Sequence, residues 1–115
     1  MPLVTFYFQL HQPFRLHPER EKFLWDEKNR YVFIKVAEKC YLPATTMFTE
    51  LVTAHPSFKI TLGMSGTFLK QAELYTPELI TLLRNLYAAG EKNHQVEYLD
   101  ETYYHSLTSL FEDPQ

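Results

Sequence analysis

The sequence has a single cysteine, only three glycines and no surplus of positive charge. Each shortage closes off a class of explanation. Cys40 has no partner for an internal disulfide, which points to a reducing compartment and to a small thiol packed in the core. Three glycines are too few for a phosphate-cradling loop. The net charge is −3, and the basic residues of "RLHPEREK" alternate with Glu19 and Glu21. That stretch therefore reads as a solvated loop, and nucleic-acid binding is not expected. No apolar run approaches membrane-spanning length, and no basic leader or small-residue cleavage site flanks the first apolar stretch. Neither a membrane partner nor a signal peptide is expected, and the reading places the protein in the cytoplasm.

What is present describes a folding chain. Of 115 residues, 45% are hydrophobic and 22% charged, enough for one domain or one piece of a larger one. The nine Phe and eight Tyr suit a packed core and equally a carbohydrate site, where ring faces stack on sugar faces.

Periodicity orders the chain. "LVTFYFQL", Leu3 to Leu10, alternates strictly, with Val4, Phe6, Phe8 and Leu10 on one face and Thr5, Tyr7 and Gln9 on the other, His11 following in register. It predicts a strand, ended by Pro13. Asn29 is the expected N-cap of a helix over "RYVFIKVAEKCYL". Pro43 should break it and start a second helix, "PATTMFTELVTAH", closed by Pro56. "FKITLGMSG" predicts a second strand, with Ile60, Leu62 and Met64 opposed to Thr61, Gly63 and Ser65. Two short helices follow, "TFLKQAELY" and "TPELITLLRNLYAAG". Thr76 is expected to cap the latter and Gly90 to stop it. "EKNH" predicts a turn and "QVEYL" a third strand. "DETYYHSLTSLF" should leave that strand as a loop running into helix.

The order β-α-α-β-α-α-β implies parallel strands joined by right-handed crossovers. Each strand has one apolar face and one that is polar or small. Because parallel sheets are normally covered on both sides, the expected fold class is α/β, a partial (β/α)7 barrel of about three parallel strands. A complete two-layer domain with one wet sheet face is the alternative. In a barrel, the strand carboxyl ends would bring His11, Ser65 and the Asp100–His105 segment to one rim, where such enzymes place their sites.

Several residues there could carry chemistry. Glu97 sits mid-strand between Val96 and Tyr98, and a buried carboxylate needs a partner: His11, Gln12 or sugar hydroxyls. The plainer reading is an exposed glutamate on an edge strand. His11 and Gln12 of "HQP" can both donate and accept, as polyhydroxylated ligands require. "ETYYHS" gathers Glu101, Tyr103, Tyr104, His105 and Ser106, more than helix capping alone needs. His17, His55 and His94 read as solvated. No nucleophile-elbow glycines surround Ser106, and no zinc-ligand spacing occurs, so no metal or other cofactor is expected.

"FYFQLHQPFRL" and "GEKNHQVEYLDETYYHSLTSLF", with "KVAEKCYLPAT" and "FKITLGMSGTFLKQAELYTPELITLL" between them, resemble the N-terminal part of the glycoside hydrolase family 57 α-amylase and 4-α-glucanotransferase group over essentially the whole chain. The resemblance implies a (β/α)7 barrel acting on α-glucans with retention. It implies that His11 and Gln12 contact the sugar, that Glu97 lines the site, and, more weakly, that Glu101, Tyr104 and His105 do too. The turn in "GEKNHQVEYL" is longer than the family's usual spacing. The family's nucleophilic glutamate and acid/base aspartate would lie downstream of "YYHSLTSLF". Retaining hydrolysis needs two carboxyl groups about 5–5.5 Å apart, and Asp100 and Glu101, adjacent in an extended segment, would diverge. No catalytic residue is therefore expected in this chain, which should be inactive alone. Its expected partners are an α-glucan or oligosaccharide, the remainder of the barrel, or a second copy. The alternatives are a non-catalytic carbohydrate-binding or interaction module and a metal-dependent carbohydrate deacetylase using His11 and His105.

Overall fold

A computed structural model describes residues 2–19 and 24–105. Strand β1 (Tyr7–Leu10) is followed by helix α1 (Asp26–Val36), a π-helical turn (Ala37–Tyr41) and α2 (Leu42–Ala54). Then come β2 (Ile60–Met64), α3 (Gly66–Tyr75), α4 (Pro77–Gly90) and β3 (Val96–Asp100). The three strands form one parallel sheet in the order β1-β2-β3, with Tyr7 opposite Thr61 and Thr61 opposite Glu97. This is the α/β arrangement of a partial barrel, with β2 central and both flanking strands at edges.

The helices lie over one sheet face. Ile60, Leu62 and Val96 point into that layer and are buried with Phe33, Val52, Phe68, Ala72, Leu79, Leu83 and Leu86. Phe33 anchors an aromatic cluster, its ring centroid 5.7 Å from Tyr41 and 5.8 Å from Phe68. Tyr98 reaches the same layer and donates to the Leu83 carbonyl. Burial there pushes its phenol pKa up to about 12. The opposite face carries Tyr7, Gln9, Thr61, Gly63, Glu97 and Leu99. Among the described residues no helix covers it, and Tyr7 and Leu99 are half exposed.

Buried amides fix the connections. Gln95 donates to the carbonyls of Val52, His55 and Phe58, tying the end of α2 to the start of β3. Val52 lies in the last turn of α2 and the His55 carbonyl also accepts the Phe58 N–H, so one buried side chain gathers the whole chain reversal between helix and strand.

Several local expectations are corrected. β1 starts at Tyr7: the Phe6 carbonyl still accepts the Thr61 N–H at 3.1 Å, but the residues before it do not pair with β2, and Leu3 and Val4 are exposed. Asn29 does not cap α1, which begins at Asp26 behind Trp25. It is buried inside the helix, where its amide accepts from the Arg15 N–H at 2.7 Å and donates to the Arg15 carbonyl at 3.2 Å. Pro43 does not break the rod. The backbone stays helical from Asp26 to Ala54 because the π turn bonds the Leu42 N–H to the Ala37 carbonyl, five residues back. Pro43 then falls in the first turn of α2, where its missing N–H costs little. The same turn points Ala37 and Tyr41 inward and leaves Cys40 exposed, so Cys40 is not a core residue. Thr76 precedes α4 without a side-chain capping bond. Gly90 ends that helix, but not through a left-handed backbone. A Cβ there would lie 2.8 Å from Val96 Cγ2 and 3.1 Å from Val52 Cγ1, so close packing is what calls for glycine. The helix expected beyond His105 lies outside the described residues.

Candidate functional site

Register builds the site. Leu10, Met64 and Asp100 are paired across the sheet, so the next residue of each strand, His11, Ser65 and Glu101, forms one row just past the carboxyl ends. The following turn brings His105 back onto that row. Its N–H bonds the Thr102 carbonyl at 3.0 Å, and its own backbone sits at φ 56°, a left-handed conformation uncommon outside glycine.

Two polar groupings meet there. In the first, Gln9 Nε2 donates to Glu101 Oε2 at 2.9 Å and lies 2.6 Å from His105 Nδ1, which is 3.2 Å from the same carboxylate oxygen. In the second, His11 Nδ1 is 2.7 Å from Ser65 Oγ, which caps α3 by accepting the Phe68 N–H and lies 3.1 Å from Thr67 Oγ1. The His11 and His105 rings, 4.9 Å apart, join the two groupings. Burial, and next the neighbouring His105 charge, hold the His11 pKa below its ordinary value, with Glu101 pulling partly the other way. The other Glu101 oxygen, Oε1, is buried and has no hydrogen-bond partner among the described residues. A neutral imidazole beside a carboxylate with a vacant acceptor suits a ligand rich in hydroxyls.

The structure brings His11, Glu101 and His105 together and leaves the other three candidates apart. Gln12 turns away, its Nε2 donating to the Tyr41 hydroxyl and its Oε1 accepting from Arg15. Glu97 lies on the same sheet face as Glu101 but four residues earlier, roughly 13 Å along the strand at the usual rise. It is exposed on β3, an edge strand among the described residues, and its side chain has no hydrogen-bond partner among them. Tyr104 is 70% exposed and touches the Tyr103 ring edge-on at 4.8 Å. Asp100 and Glu101 diverge, because strand alternation sends them to opposite faces. Ser106 lies outside the described residues. No three His, Cys, Asp or Glu side chains among the described residues are grouped to hold a metal ion.

Three contributors escape a reading of local pattern. Thr67 completes the hydroxyl pair at His11. Gln71, fully buried on α3, donates to the carbonyls of Gln12 and Pro13 at 2.8 and 3.3 Å and so seats the "HQP" loop. Tyr41 holds the Gln12 amide from the π turn. A glutamine on the buried stripe of "TFLKQAELY" was the one available signal.

Fold and rim define a class, a parallel α/β sheet of barrel type with its polar groups gathered beyond the strand carboxyl ends. The chain belongs to Glycosyl hydrolase family 57, whose sequence profile it matches over residues 5–115. It is 39% identical over 118 aligned positions to a Methanocaldococcus jannaschii protein named "Putative alpha-amylase", an alignment covering 96% of this chain and 24% of that protein. It is similar in fold to the crystal structure of 4-alpha-glucanotransferase from Thermococcus litoralis, with a TM-score of 0.60 and 24% identity over 91% of this chain and 13% of that one. The chain thus spans about a quarter of the first protein and about an eighth of the second. No helix among the described residues is long and apolar enough to cross a membrane.

Proposed function

We propose that these 115 residues are the N-terminal part of a retaining, α-glucan-active family 57 enzyme, an α-amylase-like hydrolase or 4-α-glucanotransferase of cytoplasmic carbohydrate metabolism. They supply substrate contacts and leave the nucleophile and acid/base to later strands. The observation that carries this reading is the convergence of His11, Glu101 and His105 past the strand ends, in a chain matched to the family from residue 5 onward. Glu101 is the carboxylate of that group, mostly buried, with Oε1 enclosed and without a hydrogen-bond partner among the described residues. Gln12, Glu97 and Tyr104 take secondary places. Gln12 shapes the loop, Tyr104 offers an exposed ring for stacking, and Glu97 lies on the face that further strands would enclose.

Titrating the chain with maltoheptaose while following its NMR spectrum tests the assignment. Shifts should concentrate at His11, Glu101 and His105, and His11→Ala should weaken binding about tenfold, the worth of one good hydrogen bond. No rim shifts at millimolar sugar would remove the α-glucan reading. The purified chain should release no reducing sugar from starch; sustained release abolished by His11→Ala would overturn its inactivity.

A second reading, a self-sufficient carbohydrate-binding or interaction module, is favoured by one observation: Phe33, Phe68, Leu79 and Leu86 are fully buried without any further domain. Slow amide exchange in β2, with a single sedimenting species, would support it. Fast exchange through all three strands would exclude it.

A further inference from the structure

We propose that Ser65 and Thr67 are positioning residues that fix the neutral His11 imidazole as its Nε2–H tautomer, so that His11 presents a hydrogen-bond donor to the rim. Only the identity of what it donates to, a hydroxyl oxygen of a sugar, rests on the glucan reading above.

The argument counts protons. The Ser65 hydroxyl has one hydrogen to give and two lone pairs to fill. One lone pair is taken by the Phe68 N–H at 3.2 Å, and a backbone amide can only donate. The remaining hydrogen and lone pair are shared with two neighbours, His11 Nδ1 at 2.7 Å and Thr67 Oγ1 at 3.1 Å. Thr67 Oγ1 is itself 3.4 Å from His11 Nδ1. Ser65 and Thr67 are 0% and 1% exposed, so bulk water cannot complete an unmet bond.

Suppose Nδ1 is bare. The Ser65 hydroxyl donates to it, the Thr67 hydroxyl donates to the free lone pair of Ser65, and every proton has an acceptor. Suppose instead that Nδ1 carries the proton. It fills the second lone pair of Ser65, the Ser65 hydrogen turns to Thr67, and the Thr67 hydrogen has no acceptor among the described residues. Sending the Nδ1 proton to Thr67 only moves the conflict, because the two hydroxyls cannot donate to each other at once. The tautomer with Nδ1 bare is the one that leaves no buried donor stranded.

The doubly protonated ring meets the same obstacle, which agrees with the lowered His11 pKa. The other titratable groups facing His11 are His105 and Glu101. Neither offers an acceptor to the Thr67 hydroxyl.

The test is the long-range proton–nitrogen spectrum of the whole chain carrying imidazole-labelled histidine, recorded without sugar at a pH where the rings are neutral. The His11 signals are assigned by their loss in His11→Gln. Nδ1 should show the shift of an unprotonated nitrogen and Nε2 that of a protonated one. Thr67→Val leaves the Ser65 hydrogen no acceptor but Nδ1 and should keep this pattern, as should Thr67→Ser. Ser65→Asp, which keeps a capping acceptor but has no hydrogen to give, should bring the proton to Nδ1. A protonated Nδ1 in the unaltered chain or in Thr67→Val overturns the proposal, as does a bare Nδ1 in Ser65→Asp. If Ser65→Asp fails to fold, the unaltered chain and Thr67→Val still decide the matter. Failure of glucan binding would leave these spectra unchanged, and a reversed tautomer would leave the glucan reading standing.

Discussion

The two faces of the sheet obey different rules although they share every strand. Under the helices, side chains are fully enclosed and each position is fixed by several neighbours. On the bare face, Tyr7, Gln9, Glu97 and Leu99 meet solvent. The first face explains why the chain folds. The second explains why its polar residues are arranged along the strands, since a soluble sheet that needed only to fold would hold its carboxyl-end groups no more closely than solvent requires. The difference places the packed core on one side and the cluster of polar groups on the rim of the other.

Substitutions can break or sharpen that contrast. The largest effect should come from Phe33→Ala, which removes the centre of the aromatic cluster. Its expected cost of about 3–5 kcal/mol, read from urea denaturation, would consume much of the stability of a domain this size. A cost below about 1 kcal/mol would mean the helical layer is not the core. Gly90→Ala is next: its new methyl would press on Val96 and Val52, and overpacking of this kind costs about 1–3 kcal/mol.

A smaller effect is expected from acid. The unfolded chain protonates His11 near its ordinary value of 6.5, whereas the folded chain holds that pKa lower. The unfolded state therefore binds the proton first. The His11 contribution is constant above that value and destabilises the fold as pH falls below it, down through the folded pKa. His11→Gln should flatten that part of the stability–pH curve, and an unchanged slope would refute the assignment. The smallest effects belong to the bare face. Gly63→Ala meets only the far end of the Tyr7 side chain, which can swing aside. Like Glu97→Ala, it should change stability by no more than about 0.5 kcal/mol. A large loss from either would mean that face is packed against something.

The order and number of the elements were legible because their signals are local. Alternation marked the strands, and Pro13, Pro56 and Pro77 marked joints between segments, whereas Pro43 fell within a continuous helical rod. His11, Glu101 and His105 were legible as a rim because parallel strands align their carboxyl ends. What was not legible is held by distant pairs. Asn29 looked like a cap because that is its commonest local role, but it serves Arg15, fourteen residues away. Nothing near Gln12 in sequence announced that Tyr41, twenty-nine residues away, would hold its amide. Glu97 carries no local mark of exposure, because its lack of a partner depends on where the sheet ends.

The π turn between α1 and α2 makes the long rod tolerant of a change in length. Such a turn is an α-helix carrying one residue too many. Deleting exposed Lys39 should return the turn to α-helical spacing with Phe33 and Val52 still in phase with the sheet, but with a kink at Pro43. The same deletion would swing Tyr41 off Gln12 and drive the Pro43 ring against the carbonyl one turn back. That single surplus residue acts as an expansion joint, letting one rod seat its two ends independently.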